Sequence, residues 1–326
     1  MQSYGIRTID TRTSLELREL AIPEPGPNQV LIRVRAAGLN RGELMAGHGQ
    51  HDKSDTVKAA GHEGAGDVVK LGPAVECLKV GDRVMGRCRG AFSEYSLMET
   101  ADTMKVPDNL SWEEAAAIPL AFMVVYDMLV VQGRLAAGQW LLVTGVSSGV
   151  GVAALQTAKA LGARVIGTSG SANKIGRLKD LGLDLGLCTR HADFHDAVME
   201  ATQGKGANLV VNAVGGTMFE ECIRTLAFEG RLGIVGHVDG VLKSEIDIAA
   251  LHSKRLTVFG VSSRLRGPAQ RLPLVEGFVA DILPMFADGR IRPMIDKIYP
   301  FDQLEAAKAY MEANLHVGKI VVSVCA

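Results

Sequence analysis

Trp140-Leu141-Leu142-Val143-Thr144-Gly145-Val146-Ser147-Ser148-Gly149-Val150-Gly151 joins an apolar run to a glycine-rich turn. Trp140 to Thr144 is an unbroken apolar run of strand length, and the glycine-rich remainder opens a helix carrying Val152, Leu155, Ala158 and Leu161 at helical spacing. Gly162 stops that helix. Residues 164–169 form a second apolar strand at the distance a right-handed crossover requires. The spacing predicts one βαβ half of a dinucleotide-binding sheet.

The residue types in the turn suit a pyrophosphate. Gly149 lets the backbone approach without a Cβ in the way, and Gly151 packs helix against strand. Ser148 and Val150 complete a turn at a helix N-terminus, whose unpaired N–H groups and positive dipole end attract anions. The pattern is Ser-Ser-Gly-Val-Gly rather than a strict G-x-G-x-x-G, so a plain tight turn is the alternative reading. The flanking strands favour a nucleotide site.

The end of the second strand selects among cofactors. An NAD site normally places Asp or Glu about 20 residues past the glycines, to accept from the ribose 2′-hydroxyl. Here that place holds Ser169, followed by Gly170 and Ser171. No carboxylate repels a 2′-phosphate, and Ser169, Ser171, Lys174 and Arg177 are the available donors. NADP(H) is therefore expected over NAD(H). A solvated helix face is the other reading of Lys174 and Arg177.

With 326 residues, 47% of them hydrophobic, the chain is long enough for two domains with full cores. A formal net charge of −1 supplies no electrostatic reason to expect nucleic acid or an anionic membrane as partner. The N-terminus is polar at once and lacks a signal-peptide core, which leads to the expectation of a cytoplasmic protein. The five cysteines are scattered and include no C-x-x-C pair, against a disulfide framework or structural zinc knot. The longest apolar run, 115–131, is broken by Pro119 and Asp127 and is too short to cross a bilayer; it reads as a buried helix behind the capping box Ser111-Trp112-Glu113-Glu114.

From Ile6 to Val106 short strands and turns predict a small barrel, with a polar loop at Gly38–Met45 passing into a short helix. After Ser111 strands alternate with helices, and the apolar runs 209–213, 231–236 and 256–260 extend the parallel sheet. Helical stretches at about 272–288 and 303–314 and a last strand at 319–324 follow.

Several stretches coincide with one family. Gly38-Leu39-Asn40-Arg41-Gly42-Glu43, Gly61-His62-Glu63-Gly64-Ala65-Gly66, Val80-Gly81-Asp82-Arg83-Val84, Ser148-Gly149-Val150-Gly151 and His316-Val317-Gly318-Lys319-Ile320-Val321 resemble the medium-chain dehydrogenase/reductase superfamily, and most of all its zinc-free quinone oxidoreductase (zeta-crystallin-like) branch. The resemblance implies an α/β protein in which a GroES-like β-barrel catalytic domain, 1–116 and 262–326, is wrapped around a Rossmann domain with a doubly wound parallel sheet, 117–261. Cofactor and substrate would meet in the cleft. It also implies a homodimer paired through the edge strand near 256–259.

The zinc enzymes of that superfamily hold their catalytic metal by a Cys, the His of the G-H-E motif and a second Cys or His; the matching positions here are Asn40, His62 and roughly Leu120. A catalytic zinc needs three protein ligands, so no metal is expected. Without a Lewis acid, hydride transfer suits an already electrophilic carbon, in a quinone or an α,β-unsaturated carbonyl, whose negative charge delocalises onto an oxygen that needs only hydrogen-bond donors and a proton.

Three residues are candidates for the polar work. Asn40 fills the lost cysteine's place as a contact to the nicotinamide ribose or substrate oxygen, or else caps the helix after it. His51 stands about where related reductases carry a Tyr that donates a hydrogen bond, and otherwise reads as a surface histidine. His62 is either a pocket wall or a satisfied core histidine. For the cofactor, the resemblance adds Arg264, with Arg266 as competitor, and the terminal Gly318-Lys319, otherwise a turn into the last strand. The competing functions are an alcohol or aldehyde dehydrogenase of the same superfamily and a crystallin-like protein that binds NADPH without turnover.

Overall fold

The computed structural model describes residues 1–9, 12–44 and 56–324, with the side chains of residues 9 and 12 left out. The chain divides into two compact units, Met1–Met123 with Arg266–Ala326, and Val124–Leu265.

The first unit is built on β strands. β1 (Gln2–Ile9) and β2 (Arg12–Glu19) pair antiparallel, and the short β4 (Lys58–Ala59) joins β1 on its other side. A second sheet runs in the order β14 (Ile295–Pro300), β15 (Lys319–Ser323), β3 (Gln29–Gly38), β5 (Glu63–Leu71), β6 (Arg83–Arg89), β7 (Tyr95–Lys105). β3 also pairs with β7, which closes these strands into the predicted barrel. Val30, Ile32 and Val34 recur at the two-residue period of a strand and fill its core with Val68, Val84, Cys88, Phe92 and Met98. α1 (Arg41–Leu44) follows β3 directly, and α2 (Trp112–Ala116), α9 (Pro268–Asp281), α10 (Leu283–Ala287) and α11 (Leu304–Glu312) complete the unit.

The apolar run 115–131 is not one helix. The capping box is present, with Glu114 N donating to Ser111 Oγ and Ser111 N to Glu114 Oε2, but α2 ends at Ala116. A new helix, α3 (Pro119–Tyr126), starts on Pro119 and passes into a π-helical turn, Asp127–Gln132. Proline suits a helix's first turn, where its missing N–H would have no partner anyway, and Pro119 opens α3 in that position. The boundary between the two units falls inside α3.

The second unit is a six-stranded parallel sheet: β8 (Trp140–Thr144), β9 (Arg164–Ser169), β10 (Leu185–Cys188), β11 (Ala207–Asn212), β12 (Leu226–Ile234) and β13 (Thr257–Gly260). Its spatial order, β10-β9-β8-β11-β12-β13, is the doubly wound arrangement of two mononucleotide-binding halves, with the strand order reversing between β8 and β11. α4 (Gly149–Ala160), α5 (Ala172–Leu178), α6 (His195–Ala201), α7 (Gly216–Arg224) and α8 (Ile248–Ser253) connect the strands. Leu142, Ile166, Val210 and Leu232, on four neighbouring strands, are buried in one cluster. No helix among the described residues is long and apolar enough to cross a membrane.

Candidate functional site

In the second unit the sequence-predicted turn leaves β8 at its carboxyl end. Gly145 takes a left-handed φ of 66°, and Val146 N donates to Thr168 O (2.9 Å), tying the turn to β9. Ser148 caps α4, its Oγ accepting from Gly151 N at 3.1 Å. Gly151 is required by close packing, since a Cβ there would sit 2.5 Å from Gly145 O. Val152 N returns to Ser148 O at 2.8 Å, while the N–H groups of Gly149 and Val150 make no hydrogen bond to any described residue. Two unspent donors at the start of a twelve-residue helix form an anion cradle.

Asn212, at the carboxyl end of β11, is a part that sequence reading missed. Its Oδ1 accepts from Val214 N and Gly215 N, both at 3.0 Å, and its Nδ2 donates to Gly215 O at 2.8 Å. Thr144 Oγ1 lies 3.2 Å from the same Oδ1 and accepts from Ala213 N. The switch point between β8 and β11 is thereby held by side chains.

At the end of β9, Ser169 is buried and its hydroxyl lies 3.2 Å from Ser147 Oγ. Ser171 caps α5, accepting from Lys174 N at 3.4 Å, so Ser169, Ser171 and Lys174 share one end of the sheet. Arg264 lies exposed on the turn after β13, its N–H donating to Ser262 Oγ.

The first unit gathers a different cluster. Glu63, at the start of β5, accepts at Oε1 from Asn40 Nδ2 (2.8 Å) and Lys319 Nζ (2.6 Å), and at Oε2 from Leu120 N (2.7 Å). Lys319 Nζ also donates to Leu39 O (2.9 Å) and Asn40 Oδ1 (3.0 Å), which uses all three of its protons. Glu43 Oε1 accepts from Asn40 N (2.9 Å) and Nδ2 (3.2 Å), and Glu43 Oε2 lies 2.6 Å from His62 Nδ1. Asn40 therefore bridges two buried carboxylates.

The cluster's electrostatics follow from burial. Lys319 neutralises Glu63 in a pair whose side chains are 5% and 0% exposed, and a buried charge left without a partner would be costly. Glu43 is equally enclosed, and its remaining acceptor is directed to His62, whose ring is partly exposed. With Nδ1–H donated to Glu43, His62 Nε2 makes no hydrogen bond to any described residue. Burial pushes the Cys88 thiol, in the adjoining barrel core, up to about 12.

The predicted site residues thus separate into groups. Ser148, Gly149, Val150, Gly151, Ser169, Ser171 and Lys174 lie together at the carboxyl ends of β8 and β9. Asn40, His62 and Lys319 lie together in the barrel unit, with Glu43 and Glu63, which sequence reading did not single out. Glu63 stands next to His62 in the G-H-E motif, and Glu43 three residues after Asn40. Gly318 takes a φ of 81° and leads Lys319 N to Met294 O at 2.9 Å. His51 lies outside the described residues.

A catalytic zinc does not fit these side chains. His62 has a nitrogen to offer, but the Asn40 amide is spent on Glu43, Glu63 and Lys319, and Leu120 has no donor atom in its side chain. Among the described residues no three His, Cys, Asp or Glu side chains are placed to hold a metal ion. A dinucleotide does fit, at the free N–H groups of Gly149 and Val150.

Two family models match the chain: an alcohol dehydrogenase GroES-like domain over residues 26–108 and a zinc-binding dehydrogenase over residues 149–276. The human synaptic vesicle membrane protein VAT-1 homolog is 30% identical, over 95% of this chain and 83% of its own length. Three solved structures superpose on nearly the whole chain. An NAD-dependent alcohol dehydrogenase has a TM-score of 0.86 at 31% identity and covers 100% of both chains. A mycobacterial protein solved in complex with NADPH has 0.88 at 26%, over 99% of this chain and 100% of its own. A quinone oxidoreductase from Pseudomonas syringae pv. Tomato DC3000 has 0.86 at 27%, over 99% of each.

Proposed function

The chain belongs to the medium-chain dehydrogenase/reductase superfamily of oxidoreductases, in its zinc-free quinone oxidoreductase branch, and from that premise we propose that it is an NADPH-dependent reductase of quinones or α,β-unsaturated carbonyls. The observation that carries the reading is His62, oriented by Glu43 at 2.6 Å, beside an Asn40 whose amide is already consumed.

NADPH, when bound at the α4 turn, supplies the hydride. Gly149 and Val150 N–H would hold its pyrophosphate, and Ser169, Ser171 and Lys174 would hold its 2′-phosphate. A conjugated acceptor that takes the hydride at carbon develops negative charge on its oxygen. His62, protonated and ion-paired with Glu43, donates the proton from Nε2 to that oxygen or to the adjacent carbon. Glu43 fixes the ring by its bond to Nδ1 and stabilises the imidazolium, the service a buried carboxylate performs for a general-acid histidine. Asn40 and Lys319 hold the two carboxylates in place and touch no reacting atom. His51 and Arg264 are assigned supporting contacts to substrate and cofactor.

The neighbouring NAD-dependent alcohol dehydrogenase favours a second reading, reversible alcohol oxidation with NAD. One experiment separates the two: NADPH and NADH consumption against quinones, enones, enals and aldehydes, with dialysed, chelator-treated protein and metal analysis of the same preparation. Conjugate reduction that survives chelation, with NADPH preferred, is the expected result. Chelator-sensitive alcohol oxidation with stoichiometric zinc would overturn the proposal. Tight NADPH binding by fluorescence titration with no turnover across the panel would replace it with a binding protein. The enzyme is further proposed to act in the cytoplasm as a homodimer joined along β13, whose Val258 is an exposed apolar residue on the sheet's edge strand.

A further inference from the structure

We infer that the conjugated substrate carries an anionic group, a carboxylate or a phosphate, received by the guanidinium of Arg87 on β6 with Arg89 beside it, next to His62. The inference rests on the proposed reduction of a conjugated carbonyl and names the class of molecule that the reaction would act on.

The placement comes from the register of β5 and β6. Arg87 stands opposite Glu63 in that antiparallel pair, and Cys88 N donates to His62 O at 3.0 Å. The strand that carries Arg87 is therefore bonded to the backbone of His62 itself. Cys88 belongs to the barrel core, which turns its neighbours Arg87 and Arg89 to the barrel's outer face. Residues opposite one another on paired strands share a face, so Arg87 lies on the same face as Glu63.

The three carboxylates of this region are already spent. Asp102 on β7 is gripped by Arg271 of α9, whose Nε donates to Oδ1 at 2.7 Å and Nη2 to Oδ2 at 2.8 Å. Glu63 serves Lys319, Asn40 and Leu120 N, and Glu43 serves Asn40 and His62. Arg87 is left half-buried, and its side chain makes no hydrogen bond or ion pair to any described residue; the exposed Arg89 side chain makes none either. Glu43, Glu63 and Asp102 thus stand against four permanent cations, Lys319, Arg271, Arg87 and Arg89, before His62 takes a proton. Burial, and then the charge of Arg271, holds the Arg87 guanidinium below its ordinary range, and Asp102 and Glu43 oppose that shift without reversing it. An anion placed here would offset the surplus charge.

The guanidinium's flat fork can donate two parallel N–H bonds to a carboxylate or phosphate, and a neutral carbonyl cannot match it. Such an anchor would fix one end of the substrate beside His62. The anion itself takes no part in the electron transfer.

The test compares the wild type with Arg87→Gln, Arg87→Lys and Arg89→Gln at saturating NADPH, on two matched pairs of substrates. One pair is 4-oxopent-2-enoate and its methyl ester; the other is crotonyl-CoA and the neutral crotonyl thioester of N-acetylcysteamine. The wild type is expected to show a KM about tenfold to a hundredfold lower for the charged member of a pair, and Arg87→Gln to abolish that difference by raising the charged member's KM, with kcat within about threefold. Arg87→Lys should recover part of the preference, and Arg89→Gln should lose a smaller part. Preference for the enoate assigns a carboxylate on the substrate, and preference in the thioester pair alone assigns a phosphate on its carrier. The neutral member controls for folding in every variant, so equal rises in KM for both members report a displaced site and overturn the inference. A wild type that reduces charged and neutral members alike, or a preference that survives Arg87→Gln, overturns it and leaves the reductase reading standing. A wild type that reduces none of the four overturns the reductase reading and this inference with it.

Discussion

Glu43 Oε2 lies 2.6 Å from His62 Nδ1, while Oε1 of the same carboxylate accepts from the backbone and side-chain nitrogens of Asn40. One buried acid thus orients the imidazole and is itself oriented by the loop that follows β3. The outward nitrogen of His62 is a consequence of that arrangement.

If His62 supplies the proton, His62→Gln should lower kcat for enone reduction by about 10²-fold to 10⁴-fold. Glu43→Gln should lower it less, because the ring loses its counter-charge while the hydrogen bond to Nδ1 can persist. The KM for NADPH should be unmoved in both. Steady-state kinetics between pH 5 and 9 would show this, and wild-type kcat in His62→Gln would remove the residue from the mechanism.

The Lys319 and Glu63 side chains, 2.6 Å apart, form an almost fully enclosed ion pair between β15 and β5. Lys319→Met should destabilise the protein by about 3–5 kcal/mol, because Glu63 keeps its charge without its main partner. The double variant Lys319→Met, Glu63→Gln should recover part of that loss. Urea denaturation of the three proteins measures the coupling. A single-variant cost below about 1 kcal/mol would contradict a structural role for the pair.

Lys174, in the first turn of α5, follows the serines at the end of β9. Lys174→Ala is expected to raise the NADPH KM several-fold and to leave the NADH reaction alone. Comparable losses with both cofactors would take Lys174 out of the 2′-phosphate site.

Cys88 and Cys222 are buried, and Cys77 and Cys188 exposed. In native protein at pH 8 an aromatic disulfide reagent should titrate Cys77 and Cys188, in a Cys325→Ser background, and reach Cys88 and Cys222 only after denaturation. Burial raises both enclosed thiols, Cys88 to about 12 from 9.0. The folded-state value exceeds the unfolded one, so the unfolded chain releases its protons first as pH rises. Stability is unaffected by these groups below about pH 9, then falls by about 1.4 kcal/mol per pH unit for each thiol until the folded form also ionises. Denaturation midpoints at pH 8, 9 and 10, compared with a Cys88→Ala, Cys222→Ala variant, test the sign. A wild type whose midpoint falls no faster than the variant's would refute it.

The doubly wound sheet was legible because strands buried on both faces are largely apolar, as the short runs at residues 140–144, 209–213 and 231–236 are, and because helical stretches alternate with them. The glycine turn was legible because only glycine permits so close a helix-strand approach at residue 151. The break at Pro119 was present in the sequence, but apolar periodicity does not record whether a buried run is one helix or two.

Local chemistry along the chain therefore determined the strands, the nucleotide turn, the capping box and the absence of a carboxylate after β9, since each depends on residues a few positions apart. The partners of the polar side chains follow from the three-dimensional fold instead. Lys319 resembles a cofactor contact until the fold brings it, across 256 positions, onto Glu63. Glu43 carries no signal until the fold sets its carboxylate against the His62 ring, nineteen positions away. Hydrogen bonds and charges act through space over a few ångströms, and sequence separation does not measure that distance.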